Sequence, residues 1–116
     1  MALQMSHIVV DCRDPEHLAA FWSEVLGVGV ALRWKQYVIL DAPDGGGPAL
    51  AFQQVTEVKQ GKNRVHVDFT VTDLGEVTER LSGLGARVTG ETTEDGVTAR
   101  VLADPEGNEF CLVRLG

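Results

Sequence analysis

Positive charge is in short supply in this chain: 10 lysines and arginines stand against 17 aspartates and glutamates, giving a formal charge of −7. That balance argues against a phosphate backbone as partner, because nucleic-acid binders carry a basic footprint, and it favours a cationic ligand. Cysteine is almost missing. Cys12 and Cys111 are the only two, too few for a disulfide framework and without the CxxC spacing of a structural zinc site, so reduced thiols are expected. No apolar run approaches the roughly 18–20 residues of a membrane span. Residues Met1 to Ser6 lack the basic start and apolar core of a secretion signal, which makes the cytoplasm the expected location. A glycine-rich phosphate loop is also missing: Gly45-Gly46-Gly47 is followed by no lysine-serine pair and opens no helical pattern.

What is present suits one compact domain. The 116 residues, 44% of them hydrophobic and 23% charged, fall near the modal domain size and can bury one moderate core. A single domain over 1–116 is expected, with module one at about 1–56, a polar linker at 57–63 and module two at 64–116.

The organising stretch is Arg64 to Asp73. Val65, Val67, Phe69 and Val71 alternate with His66, Asp68 and Thr70, the period of two of a half-buried strand, with one apolar face and one polar face. The polar face sets a histidine, a carboxylate and a hydroxyl in a row, about 7 Å apart. An ordinary solvated strand face is the plain alternative.

Earlier in the chain, Met5 to Asp11 reads as a strand. Asp14 is placed to cap a helix, Pro15 suits its first position, and Glu16 sits at the positive dipole end. Leu18, Phe21, Trp22, Val25 and Leu26 recur at helical spacing before Gly27, and read as core rather than as a cofactor box. Strands are expected at Val28–Leu32, Trp34–Leu40 and Ala49–Val55. After the central strand, Asp73 and Glu76 open a second helix with Leu74, Val77, Leu81 and Leu84 as its stripe and Gly85 as its stop. Strands then follow at Ala86–Thr89, Val97–Ala103 and Glu109–Leu115, joined by turns at Glu94–Gly96 and Asp104–Asn108.

The two halves repeat one another. His7 precedes the capping Asp14 by the same interval that separates His66 from Asp73, each half runs strand, helix, three strands, and Pro43-Asp44-Gly45 answers Pro105-Glu106-Gly107. With two extra residues allowed in the first copy, Ala51 falls opposite Cys111. Such a duplicated βαβββ unit puts the two histidines at equivalent points of related strands.

These spacings, the two βαβββ halves and the closing Asp104-Pro105-Glu106-Gly107-Asn108-Glu109-Phe110-Cys111-Leu112 resemble the vicinal oxygen chelate superfamily, which includes glyoxalase I, bleomycin-resistance proteins and extradiol dioxygenases. The resemblance covers essentially the whole chain and is strongest toward the compact glyoxalase-like domains. It implies an α+β fold in which two βαβββ modules form an open cup-shaped mixed sheet with helices outside, usually as a dimer. It also implies that metal-using members draw one ligand from the first strand and one from the last strand of each half. Here those positions are His7, His66, Ala51 and Cys111. Alanine has no donor, so His7, His66 and Cys111 remain for a metal, with Gln53 two residues beyond Ala51 as an outside candidate. A site of this kind could hold zinc, nickel, manganese or iron; the expectation without a full ligand set is no cofactor.

Each candidate has an ordinary alternative. His7 and His66 suit proton transfer near neutral pH, or are structural histidines. Asp68 is a base or cation anchor if desolvated, and surface if not. Cys111 is a nucleophile, a soft ligand or a small buried hydrophobe, and Glu109 shares its strand parity. Trp34 and Tyr37 read as an aromatic wall for a planar ligand or as core, and Arg100 as an anion holder. The leading expectation is a protein that binds or transforms a small organic molecule in the cup, with His7, His66 and Asp68 as catalytic groups and Gln53, Cys111, Trp34, Tyr37 and Arg100 as ligand contacts. A divalent-metal-dependent lyase, isomerase or dioxygenase is one alternative, and an antibiotic-sequestering resistance protein without chemistry is the other. Open sheets leave strand edges and apolar rim surface, so a homodimer is expected, with the Trp34 region and the Gly45 loop near the neighbour or the mouth of the cup.

Overall fold

The computed structural model describes residues 2–116. The chain divides into two compact units, Met1–Val58 and Lys59–Gly116, each a βαβββ module, so the fold is α+β. Module one runs β1 (His7–Cys12), α1 (Pro15–Leu26), β2 (Val30–Trp34), β3 (Tyr37–Leu40) and β4 (Ala49–Gln54). Module two runs β5 (Asp68–Thr70), α2 (Leu74–Leu84), β6 (Arg87–Glu94), β7 (Val97–Ala103) and β8 (Glu109–Arg114). The sheet orders are β1-β4-β3-β2 and β5-β8-β7-β6, so the same connectivity is laid down twice. In both, the first strand pairs in parallel with the last, and the rest is antiparallel.

Both helices start and stop where local chemistry dictates. Asp14 and Asp73 accept hydrogen bonds from the His17 and Glu76 backbone amides at 3.1 and 2.9 Å, satisfying donors that have no partner within the helix. Gly27 and Gly85 end the helices at φ of 68° and 118°, a region costly for any residue with a Cβ. The apolar stripes then turn onto the sheets. Leu18, Ala19, Phe21 and Trp22 are buried on α1, which packs over β3 and β4, and Leu74 and Leu81 are buried on α2, which packs over β6 and β8. The sheets contribute Val38, Leu40, Ala51 and Phe52 in module one and Leu102, Phe110 and Leu112 in module two, all buried. Each such large side chain adds about 1.5–3 kcal/mol by leaving water.

Three expectations change. The stretch Arg64–Asp73 yields regular strand only over Asp68–Thr70, and Val65, expected on the buried face, is 77% exposed. The ladder does extend slightly, through Cys111 N–H to the Val67 carbonyl and Val71 N–H to the Val113 carbonyl. Beyond that the Glu109 carbonyl accepts from Asn63 Nδ2 at 3.1 Å rather than extending the ladder. The run Trp34–Leu40 is split by a two-residue turn between Trp34 and Tyr37, where Lys35 takes φ 53°. The strand expected at Ala86–Thr89 continues to Glu94, because the Asp95-Gly96 turn, with φ of 53° and 79°, closes a long hairpin with β7.

Candidate active site

Strand register decides which side chains meet. In module two, Asp68 opens β5 directly beside Cys111 of β8. His66 precedes Asp68 by two residues and, at that interval on an extended chain, projects to the same side. The result is a set of three donors: one atom each from His66, Asp68 and Cys111, all within 4.8 Å of one another. His66 Nε2 lies 3.3 Å from Asp68 Oδ1, with both side chains about half exposed, whereas Cys111 is buried at 9% exposure. A polar rim open to solvent therefore stands over a buried sulfur.

The electrostatics of the sulfur follow from that placement. Burial pushes the Cys111 thiol up, the Asp68 carboxylate adds to this by its charge and by a hydrogen bond, and Lys62 pulls the other way. The thiol is thus protonated near neutral pH, a weak nucleophile on its own. Its neighbour Glu109 faces the linker side, where Lys59 Nζ approaches within 3.2 Å and the Asn63 amide donates at 3.3 Å. Burial alone would raise the Glu109 carboxyl, but these donors outweigh it and the pKa is lowered. Glu109 is a clasp for the 59–63 segment.

Module one is chemically different at the corresponding points. His7 is exposed, with Nδ1 3.1 Å from Ser6 Oγ. Where module two pairs Asp68 with Cys111, module one pairs Val9 with Ala51. An isopropyl and a methyl group offer no donor, so the last-strand ligand position of module one, Ala51, has nothing to give a metal. Gln53 is paired between Asp11 and Tyr37, and its carbonyl accepts from the Cys12 thiol at 3.6 Å.

The other sequence candidates make contacts of their own within their modules. Trp34 and Tyr37 stack at 5.7 Å between ring centroids, and Lys35 Nζ stands 4.8 Å over the indole. Arg100 is engaged by Glu91 at 2.7 Å and Thr78 at 2.9 Å. Tyr37 also lines a cavity of about 500 Å³ at the start of α1, with Arg13, Arg33, Lys35, Gln36 and Gln54 among its walls. Sequence reasoning missed this cavity, since its parts come from three separated segments; the bidentate Arg33–Glu16 pair at 2.8 and 3.0 Å joins residues 17 apart with no local signature. Its lining carries charged groups of both signs and no thiol or histidine. The partnership of Asp68 with Cys111 was also missed, although pairing the first and last strands of the repeat would have revealed it.

The sequence matches the glyoxalase-like domain family over residues 7–113. Among solved structures, a glyoxalase/bleomycin resistance protein/dioxygenase family enzyme from Burkholderia phytofirmans PsJN superposes with a TM-score of 0.80 at 19% identity, covering 98% of this chain and 100% of that one. A glyoxalase family protein from Bacillus cereus gives 0.77 at 18% identity, covering 100% and 97%. A glyoxalase-related enzyme from Fulvimarina pelagi gives 0.75 at 18% identity, covering 97% and 88%. At these identities the solved structures speak for the fold. Among curated proteins none matches. The chain belongs to the glyoxalase-like domain family, within the vicinal oxygen chelate superfamily.

Proposed function

We propose that this glyoxalase-like protein binds a small organic molecule against the β5–β8 edge of module two and acts on it with His66, Asp68 and Cys111, without the four-ligand metal centre of metal-using relatives. The observation that carries the reading is the convergence of these three chemically distinct groups by strand register, combined with Val9 and Ala51 at the matching points of module one. A carboxylate lies 3.3 Å from an imidazole, so the pair can orient and polarise a bound carbonyl, hydroxyl or amine. The stacked Trp34–Tyr37 face is a second contact surface for planar ligands, and His7 a second polar group.

The test is a thermal-shift and NMR screen of full-length protein with compounds bearing vicinal oxygens and with cationic aromatic compounds. Hits should perturb the amides of residues 66–70 and 109–112, and the His66→Ala protein should lose at least tenfold in affinity for them. Hits that ignore that substitution and perturb module one alone would refute the reading. The charge of −7 favours a second reading, sequestration of a cationic antibiotic without turnover; prolonged incubation yielding a product excludes it.

Assembly belongs to the same proposal. β2 is the outermost strand of its sheet, and it exposes Val30, Leu32 and Trp34, an apolar strand edge of the kind that pairing covers. A twofold homodimer through this edge meets that need.

A further inference from the structure

We propose that module two by itself binds one thiophilic divalent cation of the zinc class, through His66, a carboxylate oxygen of Asp68 and the Cys111 thiolate. The inference rests on the same three residues as the proposed function and names what they take.

The geometry sets the argument. Zinc bonds nitrogen and oxygen at about 2.0–2.2 Å and sulfur at about 2.3 Å in a tetrahedron. The edges of such a tetrahedron are then about 3.3 Å between nitrogen and oxygen and about 3.5 Å to sulfur. The His66 Nε2 to Asp68 Oδ1 separation is 3.3 Å, already one edge of that figure. The remaining separations lie within 4.8 Å, about 1 Å beyond the ideal. The adjustment falls on His66 and Asp68, whose side chains are 48% and 55% exposed and free to change rotamer, while the buried sulfur stays on its strand. The donor types narrow the ion. A set of one imidazole, one carboxylate and one thiolate suits borderline ions and disfavours magnesium and calcium, which take oxygen. Three protein donors leave a fourth position for water or for an oxygen of the organic ligand. On binding, the thiol proton passes to solvent and the sulfur electron pair goes to the metal.

This is a one-module site. It uses Asp68, which lies on the first strand rather than at a last-strand position, and it takes nothing from Val9 or Ala51.

The experiment is a titration of metal-free full-length protein with Co²⁺, followed by competition with Zn²⁺. The expected result is one ion per chain, with a thiolate-to-cobalt charge-transfer band in the near ultraviolet and d–d bands of tetrahedral intensity. Cys111→Ser should abolish the charge-transfer band. His66→Ala and Asp68→Asn, both at exposed positions that leave the fold intact by circular dichroism, should each weaken binding by at least 10–100-fold, roughly the loss seen when only an outer-shell partner is removed. Absence of the band, or a Cys111→Ser protein that binds like wild type, overturns the site. An equal loss in His7→Ala shows an ion shared with module one and also overturns it. If the cation fails while organic ligands still depend on His66 in the presence of chelator, this inference falls and the proposed function stands; if Co²⁺ binds as expected but ligands ignore module two, the reverse holds.

Discussion

Removing the Asp104 carboxylate should destabilise module two more than any other single change in a polar side chain. Asp104 is 2% exposed. Its Oδ1 accepts from the Glu106 and Asn108 backbone amides, each at 2.9 Å, and from Asn108 Nδ2 at 3.2 Å, while Oδ2 accepts from the same Nδ2 at 3.0 Å. Together with the Gly107 N–H to Asp104 carbonyl bond at 2.8 Å and Gly107 at φ 87°, this fixes the turn that launches β8 and so delivers Cys111 beside Asp68. In Asp104→Ala two backbone donors lose a charged acceptor. Bonds to charged groups contribute about 1.5–3 kcal/mol each, and orphaned buried donors cost about 1–3 kcal/mol. Glu106 and Asn108 are only half-buried, so water compensates in part and the expected loss is about 2–4 kcal/mol. Asp104→Asn keeps one oxygen for the two amides but opposes two NH₂ groups, and should lose about half as much. Urea unfolding measures it: with m near 1.5 kcal/mol/M the midpoint should fall by roughly 1.3–2.7 M at unchanged slope. A midpoint for Asp104→Ala within about 0.3 M of wild type would refute the view that this carboxylate organises the turn.

Three further outcomes follow from other parts of the chain. Glu109→Gln should cost about 0.5–1 kcal/mol at neutral pH, since the clasp to Lys59 and Asn63 is only partly sheltered; the Glu109 pKa is lowered from its ordinary 4.5, so its contribution is full above that value and fades as pH falls through the folded-state value, and urea midpoints of the two proteins should converge in acid. Gly27→Ala meets no neighbour within 4 Å and should cost about 1–2 kcal/mol from backbone strain alone at φ 68°, seen as a lower melting temperature, whereas an unchanged melt would deny the left-handed stop. Light scattering at micromolar concentration should report twice the mass of a chain, and Leu32→Lys on the exposed β2 edge should halve it; a wild-type particle of single-chain mass discards the dimer.

The repeat, both helices and their caps were legible in the sequence because each rests on local chemistry: Asp14 and Asp73 before the helices, Gly27 and Gly85 after them, and apolar stripes between. What failed was also local reasoning, applied where tertiary pairing decides. Val65 continues the alternation of Val67 and Phe69 as well as any strand residue, yet Asn63 already holds the Glu109 carbonyl that a longer strand would need. The β6 strand runs past Thr89 through Gly90 and four threonine or glutamate positions with no apolar face of their own, held by β7 rather than by burial.

The candidate site was half legible for a related reason. Alternation put His66 and Asp68 on one face, and the repeat set Ala51 against Cys111, but neither says which residue of the first strand lies beside which residue of the last. The parallel register supplies that step, and it separates the modules chemically: Asp68 beside Cys111 in one, Val9 beside Ala51 in the other. Val9 is 49% exposed and Ala51 is 2% exposed, so in module one the outer position presents aliphatic surface and the inner one only closes the sheet. A duplicated fold therefore does not require duplicated chemistry. The backbone geometry that brings two side chains together is set by strand pairing and persists in both copies, while the side chains at those points are free to differ: Asp68 and Cys111 in module two, Val9 and Ala51 in module one.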